Sequence, residues 1–339
     1  MISLGNDDIM GNVFYVVIPI LKPHPVDYFD KDVHEKILNE IGILKGSYIV
    51  DDVTIEYESV PCDEKFSHIT QRVVPTHIRP YKMFVFQVTV SNATHLLKSY
   101  DGLSAGKSYF LSILSFIPIF SYGLAYSLGV YCYGVFDVDD FLVYYSENTW
   151  GKYEGLKSSF SFLYKNNEMI CCSSTGISLQ KILNWFLSVD DVIDACGKTA
   201  LGKSLSIYSR MFSSNSEDED VFMSGFLSFI ALEALYESHG IINDLSEKMS
   251  AFLNVDECEC KHDVKLMYKH RSSVAHGGFK FPFKFNPNDG SEFFEKSLDK
   301  TWKSFDLGLR YLFKSYTKMI LENRKDLPFE KNKIKKRTL

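Results

Sequence analysis

One change of texture divides the chain. Up to about Thr175 the apolar residues come in short runs rich in Val, Ile, Phe and Tyr, separated by polar or proline-containing breaks. From there to Arg324 nearly every segment carries apolar residues at three- and four-residue steps. Alternation suits strands and the longer period suits helices of 3.6 residues per turn, so the sequence reads as an α+β domain followed by an all-helical one, with the boundary near Gly176. A length of 339 residues and a hydrophobic content of 45% are enough for two domains with sizeable cores.

In the first half, residues 12–20, 48–58 and 81–90 are expected as strands, being β-branched and aromatic with alternation in places. Asp30 to Ile43 approximates a helical stripe. A second helix is expected from Ser104 to about Ile117, where Pro118 stops it. Residues 129–145 and 158–172 return to strand-like composition. In the second half, amphipathic helices are expected over Leu179–Ala195, Leu201–Phe212, the acidic 213–220 stretch through Tyr236 with Gly240 as its cap, Asp244–Leu253, Val264–His276 and Ser291–Asn323. The resulting plan is an α+β domain of sensing or targeting character over 1–176, a helical domain over 177–325, and a basic tail over 326–339 that is expected to be disordered.

The formal net charge of -6 announces no global attraction for polyanions, so any RNA site must be local. Seven cysteines at irregular spacing, with no secretory signal in front of them, fit a reducing cytoplasm. Residues 108–136 hold no formally charged side chain and are long enough to cross a bilayer, which makes a membrane-associated protein one alternative. Pro118, three glycines, several serines and a high tyrosine density favour a buried core segment there instead, and no membrane partner is expected.

The most informative segment is LMYKHRSSVAHGG, Leu266 to Gly278. A helix bearing Tyr268 and Arg271 ends at His276 and meets two glycines, giving an R-x4-H pattern. About thirty residues upstream the helix FLSFIALEALYES carries Glu233 in an otherwise apolar face. Together the phrases "ALEALY" and "LMYKHRSSVAHGG" resemble the HEPN superfamily, in particular its Apea-like branch, over roughly residues 178 to 322. The resemblance implies a helical bundle that forms a homodimer and cleaves RNA as an endonuclease, with no metal and no cofactor, in a setting of microbial defence or toxin-like RNA restriction. It implies Arg271 and His276 as the catalytic pair.

The residue types suit that chemistry. Cleavage by the neighbouring 2′-hydroxyl needs a proton acceptor, a proton donor for the leaving 5′-oxygen, and stabilisation of the phosphorane between them. Histidine is the side chain that titrates nearest neutrality, and arginine offers a planar fork for two phosphate oxygens. A five-residue offset turns two helical side chains about 140° apart, so Arg271 and His276 can converge only if the helix ends near His276, which Gly277 and Gly278 favour. Supporting roles fall to Glu233, as partner of Arg271, to Tyr268, and to Ser272, which stands where many members carry Asn, Asp or His. Lys269 and the basic tail are candidates for holding the RNA backbone. A bundle that binds RNA or a nucleotide without cutting is the other alternative, and in the plainest reading Arg271 merely pairs with Glu233 or another acid across the bundle while His276 interacts with the helix dipole.

Two further patterns are set aside. Gly197 to Ser204, GKTALGKS, has P-loop spacing but follows an amphipathic helix where the motif needs a buried strand, so it is expected to be an interhelical turn with solvated lysines. Cys258, Cys260 and His262 lack C-x2-C spacing and a second half-site, so a solvated loop is expected there and no metal.

Overall fold

The computed structural model describes residues 13–21, 39–50, 53–62, 64, 80–91, 140–146, 149–154, 177–189, 197–211, 219–238, 242–279, 292–327 and 329. Its contacts fall into two compact units. Unit 1 is Met1–Ser188 with Phe212–Asn215, and unit 2 is Val189–Met211 with Ser216–Leu339.

Unit 1 is built on a six-stranded sheet: β1 (Val13–Leu21), β2 (Lys45–Val50), β3 (Val53–Val60), β4 (Pro80–Ser91), β5 (Asp140–Ser146) and β6 (Thr149–Glu154). The order is β2-β3-β4-β1-β5-β6 and every pairing is antiparallel. The β-rich run of β1 pairs along its whole length with β4, from Val13 opposite Thr89 to Leu21 opposite Pro80. Phe84, Val85, Phe86 and Val88 are all buried, so β4 is covered on both faces and lies in the core of the unit. The segment expected as one strand over 48–58 is a hairpin in which Val50 stands opposite Val53. The expected helix over 104–117, the strand-like 158–172 and the apolar 108–136 lie outside the described residues. Among the described residues no helix is long and apolar enough to cross a membrane.

Helix α1 (Leu179–Leu187) starts at Ser178, whose hydroxyl accepts from the Lys181 amide at 3.2 Å. It belongs to unit 1: the Gln180 side-chain oxygen accepts from the backbone N–H of Lys45 on edge strand β2 at 3.1 Å. The sequence puts the division near Gly176, whereas the structure puts it after Ser188. An amphipathic face records that a helix is buried, not which neighbour buries it.

Unit 2 is a bundle of α2 (Ala200–Arg210), α3 (Glu219–Leu235), α4 (Ile242–Leu253), α5 (Glu257–Ala275) and α6 (Glu292–Leu321). Helix α3, apolar on nearly all sides, packs against α2, α5 and α6 and is the central element. Small residues let α3 and α6 approach closely. A Cβ on Gly308 would stand 2.5 Å from Ser228 Cβ. Buried hydroxyls are paired across helices: Ser204 on α2 bonds Ala231 O at 2.8 Å and the Tyr316 hydroxyl at 2.7 Å, and Tyr236 on α3 bonds Ser315 on α6 at 2.7 Å. The Tyr208 ring meets Phe313 and Tyr316 edge-on.

Three helices end on a left-handed residue that is not glycine: Glu237 (φ 45°) after α3, Asn254 (φ 55°) after α4 and Asn323 (φ 51°) after α6. At the first, Ser238 N–H bonds Glu233 O at 2.9 Å and Glu237 N–H bonds Ala234 O at 3.3 Å, so the chain turns before the Gly240 expected to cap it. Glu237 is exposed, and its backbone oxygen accepts from Lys248 Nζ at 3.3 Å. Replacing Glu237 with glycine should therefore stabilise unit 2 by about 0.5–1 kcal/mol, the left-handed penalty less the added freedom of the unfolded chain. The midpoint of urea unfolding measures it.

Candidate functional site

Of the sequence-predicted residues, Arg271 and Tyr268 on α5 meet α3, where Glu233 lies. Helix α5 begins at Asp256, whose carboxylate accepts from the Glu259 amide at 2.8 Å, with Glu257 and Glu259 in the first turn where the helix dipole favours acids. It is therefore longer at its start than the expected Val264–His276. Cys260, Val264, Met267 and His270 form its buried stripe, at steps of four and three. The stripe leaves Lys269 exposed and Arg271 and Ser272 partly exposed.

Arg271 faces Glu233 on α3, Nε to Oε2 at 3.9 Å, which is an ion pair without a hydrogen bond. The Arg271 side chain is 28% exposed and that of Glu233 is 11%. Among the described residues Glu233 Oε1 and Arg271 Nε are buried and have no hydrogen-bond partner. Burial pushes the Glu233 carboxyl above the usual range, and the guanidinium of Arg271 only partly offsets it. A carboxyl raised in the folded state holds more protons folded than unfolded across the interval between the two values, so stability falls as pH rises through that interval. Glu233→Gln should flatten this dependence, as thermal unfolding at a series of pH values would show.

Tyr268, also on α5, sets its ring edge against Phe229 of α3 at 6.1 Å, so it packs the two helices together. Helix α5 ends at Ala275 with His276 as its C-cap (φ -101°, ψ 13°), and Gly277 follows at φ 68°, the left-handed turn expected of it. The Ser272 carbonyl accepts the His276 amide at 3.0 Å. The His276 side chain is exposed, and no hydrogen bond or ion pair joins it to Arg271 among the described residues. The structure thus brings Arg271 to Glu233 and Tyr268 to Phe229, and sets His276 at the solvent-facing helix end.

Three neighbours of this site go unnoticed in the sequence. His270, beside Arg271, is buried; a Cβ on Gly225 would lie 3.0 Å from its Nε2 and 3.1 Å from Thr301 O on α6. Phe279, just past the helix, meets the His270 ring edge-on at 5.3 Å. A glycine on α3 and a histidine and a phenylalanine nine residues apart at the end of α5 carry no shared spacing.

The GKTALGKS segment is a turn only at its start. Thr199 caps α2, accepting the Gly202 amide at 3.0 Å, and Lys203 and Ser204 are helical. Ser204 is fully buried with its hydroxyl bonded inside the bundle, whereas a P-loop serine must face a bound phosphate. Cys258, Cys260 and His262 lie on α5 rather than in a loop; Cys260 is buried with its thiol on Ser246 O at 3.6 Å, and burial pushes its pKa up to about 11.

Unit 1 has a separate cavity of about 660 Å³, walled by Lys45, Glu56, Glu58, Gln87, Gln180 and Asn184 among others. Tyr57 forms part of it because Gly46 stands opposite: a Cβ there would lie 2.6 Å from the Tyr57 hydroxyl. Burial raises the Tyr57 hydroxyl to about 12, against the opposing hydrogen bond of Gln180. Comparison with known proteins finds no match to this chain, whether among protein-family models, curated proteins or solved structures.

Proposed function

We propose that unit 2 is a HEPN-type domain acting as a metal-independent endoribonuclease, working as a homodimer in RNA restriction or defence. The observation that supports this best is the state of Arg271, a partly exposed side chain whose Nε lies 3.9 Å from an acid without a hydrogen bond, five residues before a histidine exposed at the helix end. Such a cation is near its counter-charge yet able to turn its fork to a phosphate.

In the proposed reaction His276 takes the proton of the RNA 2′-hydroxyl. The 2′-oxygen then bonds to phosphorus while Arg271 bridges two phosphoryl oxygens and stabilises the added charge. The bond to the 5′-oxygen breaks, and that oxygen takes a proton from the imidazolium of a paired copy or from solvent. The products are a 2′,3′-cyclic phosphate and a 5′-hydroxyl. Lys269, exposed on α5, adds a backbone contact whose strength falls with salt. The cavity of unit 1, with two carboxylates against one lysine among its charged walls, suits a small polar trigger better than an RNA backbone.

The test is cleavage of total RNA by the purified full chain in EDTA. Cutting that EDTA leaves intact, and that yields cyclic phosphate ends, supports the reading; cutting that requires a metal overturns the mechanism. Saturable RNA binding with no turnover would move the protein to the non-cutting alternative.

A further inference from the structure

We infer that Phe279 is the positioning residue for His276, acting as a latch that ties the solvent-facing end of α5 to the buried seam of the bundle. The inference rests on the ribonuclease reading for its catalytic consequence, and on geometry for the latch itself. His276 is exposed, and an exposed residue at a helix end would ordinarily fray. Here the end is closed three times over: His276 N–H bonds Ser272 O at 3.0 Å, Gly277 N–H bonds Val274 O at 3.3 Å, and Phe279 N–H reaches back to Ser273 O at 2.9 Å. Backbone bonds in a glycine-containing turn open readily unless a side chain holds the far strand of the turn.

Phe279 is that side chain. Its ring stands edge-on to His270, centroids 5.3 Å apart and planes at 85°. His270 is itself fixed in the seam, 7% exposed and beside Gly225 of α3 and Thr301 of α6, so tightly that one methyl group at Gly225 would come within 3.0 Å of the ring and 3.1 Å of the Thr301 carbonyl. The path from seam to turn is thus continuous: Gly225 admits His270, His270 receives Phe279, and Phe279 closes the turn that carries His276. A histidine that must meet a 2′-hydroxyl loses rate steeply when its mean position drifts, so a latch of this kind has a rate consequence.

The experiment uses the full chain as wild type, Phe279→Ala and Phe279→Tyr, with two readouts. The first is amide hydrogen exchange across residues 273–279, expected to quicken about tenfold in Phe279→Ala and to return towards wild type in Phe279→Tyr, with exchange in α3 unchanged. The second is steady-state RNA cleavage, expected to lose about 10- to 100-fold in kcat for Phe279→Ala with KM nearly unchanged, and to recover in Phe279→Tyr. Gly225→Ala, which acts from another helix by crowding His270, should quicken the same amides. Unchanged exchange at 273–279 in Phe279→Ala overturns the latch, even for a wild type that does not cleave; the absence of cleavage by wild type bears on the ribonuclease reading alone. Quickened exchange with wild-type kcat overturns the positioning role.

Discussion

His276→Ala is expected to lower RNA cleavage by about 10²- to 10⁴-fold, the usual contribution of a positioned general acid or base. The substitution is clean in structural respects: the side chain is exposed, its backbone makes the capping bond, and alanine keeps that bond. Thermal unfolding should be unchanged, so a loss of rate would belong to chemistry. Arg271→Ala should cost a similar factor but is less clean, because it leaves the partly buried Glu233 carboxylate without its cation. Arg271→Ala with Glu233→Gln removes that burden, so a rate still lost in the double variant is attributable to the missing fork. Arg271→Lys, which keeps charge without the fork, should recover little. In the proposed mechanism the two residues act on one transition state, so His276→Ala and Arg271→Ala together should cost far less than the product of their separate effects. A His276→Ala protein that cuts as fast as wild type in EDTA would remove the residue from the mechanism.

Gly308→Ala is expected to destabilise unit 2 by about 1–3 kcal/mol, a large effect for one methyl group. The added carbon would stand 2.5 Å from Ser228 Cβ, and a β-carbon cannot rotate out of the way as a hydroxyl can. The helices α3 and α6 must then separate or slide, which loosens the hydroxyl pairs made by Tyr236 with Ser315 and by Ser204 with Tyr316. Ser228→Gly should recover part of the loss by moving the gap to the other helix, less about 1 kcal/mol for a helical glycine. The coupling is read from denaturant midpoints of the two single variants and the double. Additive effects would show that the two positions do not meet.

How much of this could be read from the sequence varies by element. The last helix was expected over Ser291–Asn323 and is found over Glu292–Leu321, because thirty residues of consistent period leave no competing fit. The β2–β3 hairpin read as one strand, since its break is Asp51 and Asp52 rather than a glycine-containing turn signal, and alternation runs on through it. The first turns of α5 read as a loop because CECKH presents one buried residue, Cys260, among exposed ones. The Asp256 to Glu259 capping pair was the missed signal. Of the candidate site, the pairing of Arg271 with Glu233 and the helix end at His276 were legible, one from a lone acid on an apolar face and the other from Gly277 and Gly278. That the pair is held without a hydrogen bond was not. The gap depends on how closely α3 and α5 pack, and residues without common spacing, such as Gly225 and Thr301, set the packing around them.

Helix α6 is the last of the described helices to leave the ribosome, yet its residues complete contacts begun far earlier in the chain, as Tyr316 does for Ser204, 112 positions before it. Until it emerges, the hydroxyls of Ser204 and Tyr236 lack the partners they bond in the finished bundle, and the α6 side of His270 is open. Contacts of such long separation form late, so a nascent chain carries Arg271 and His276 for some time without the scaffold that orders them. If unit 2 cuts RNA as proposed, this delay would spare its own translating messenger: abortive fragments ending before α6 would bear Arg271 and His276 without the scaffold that orders them.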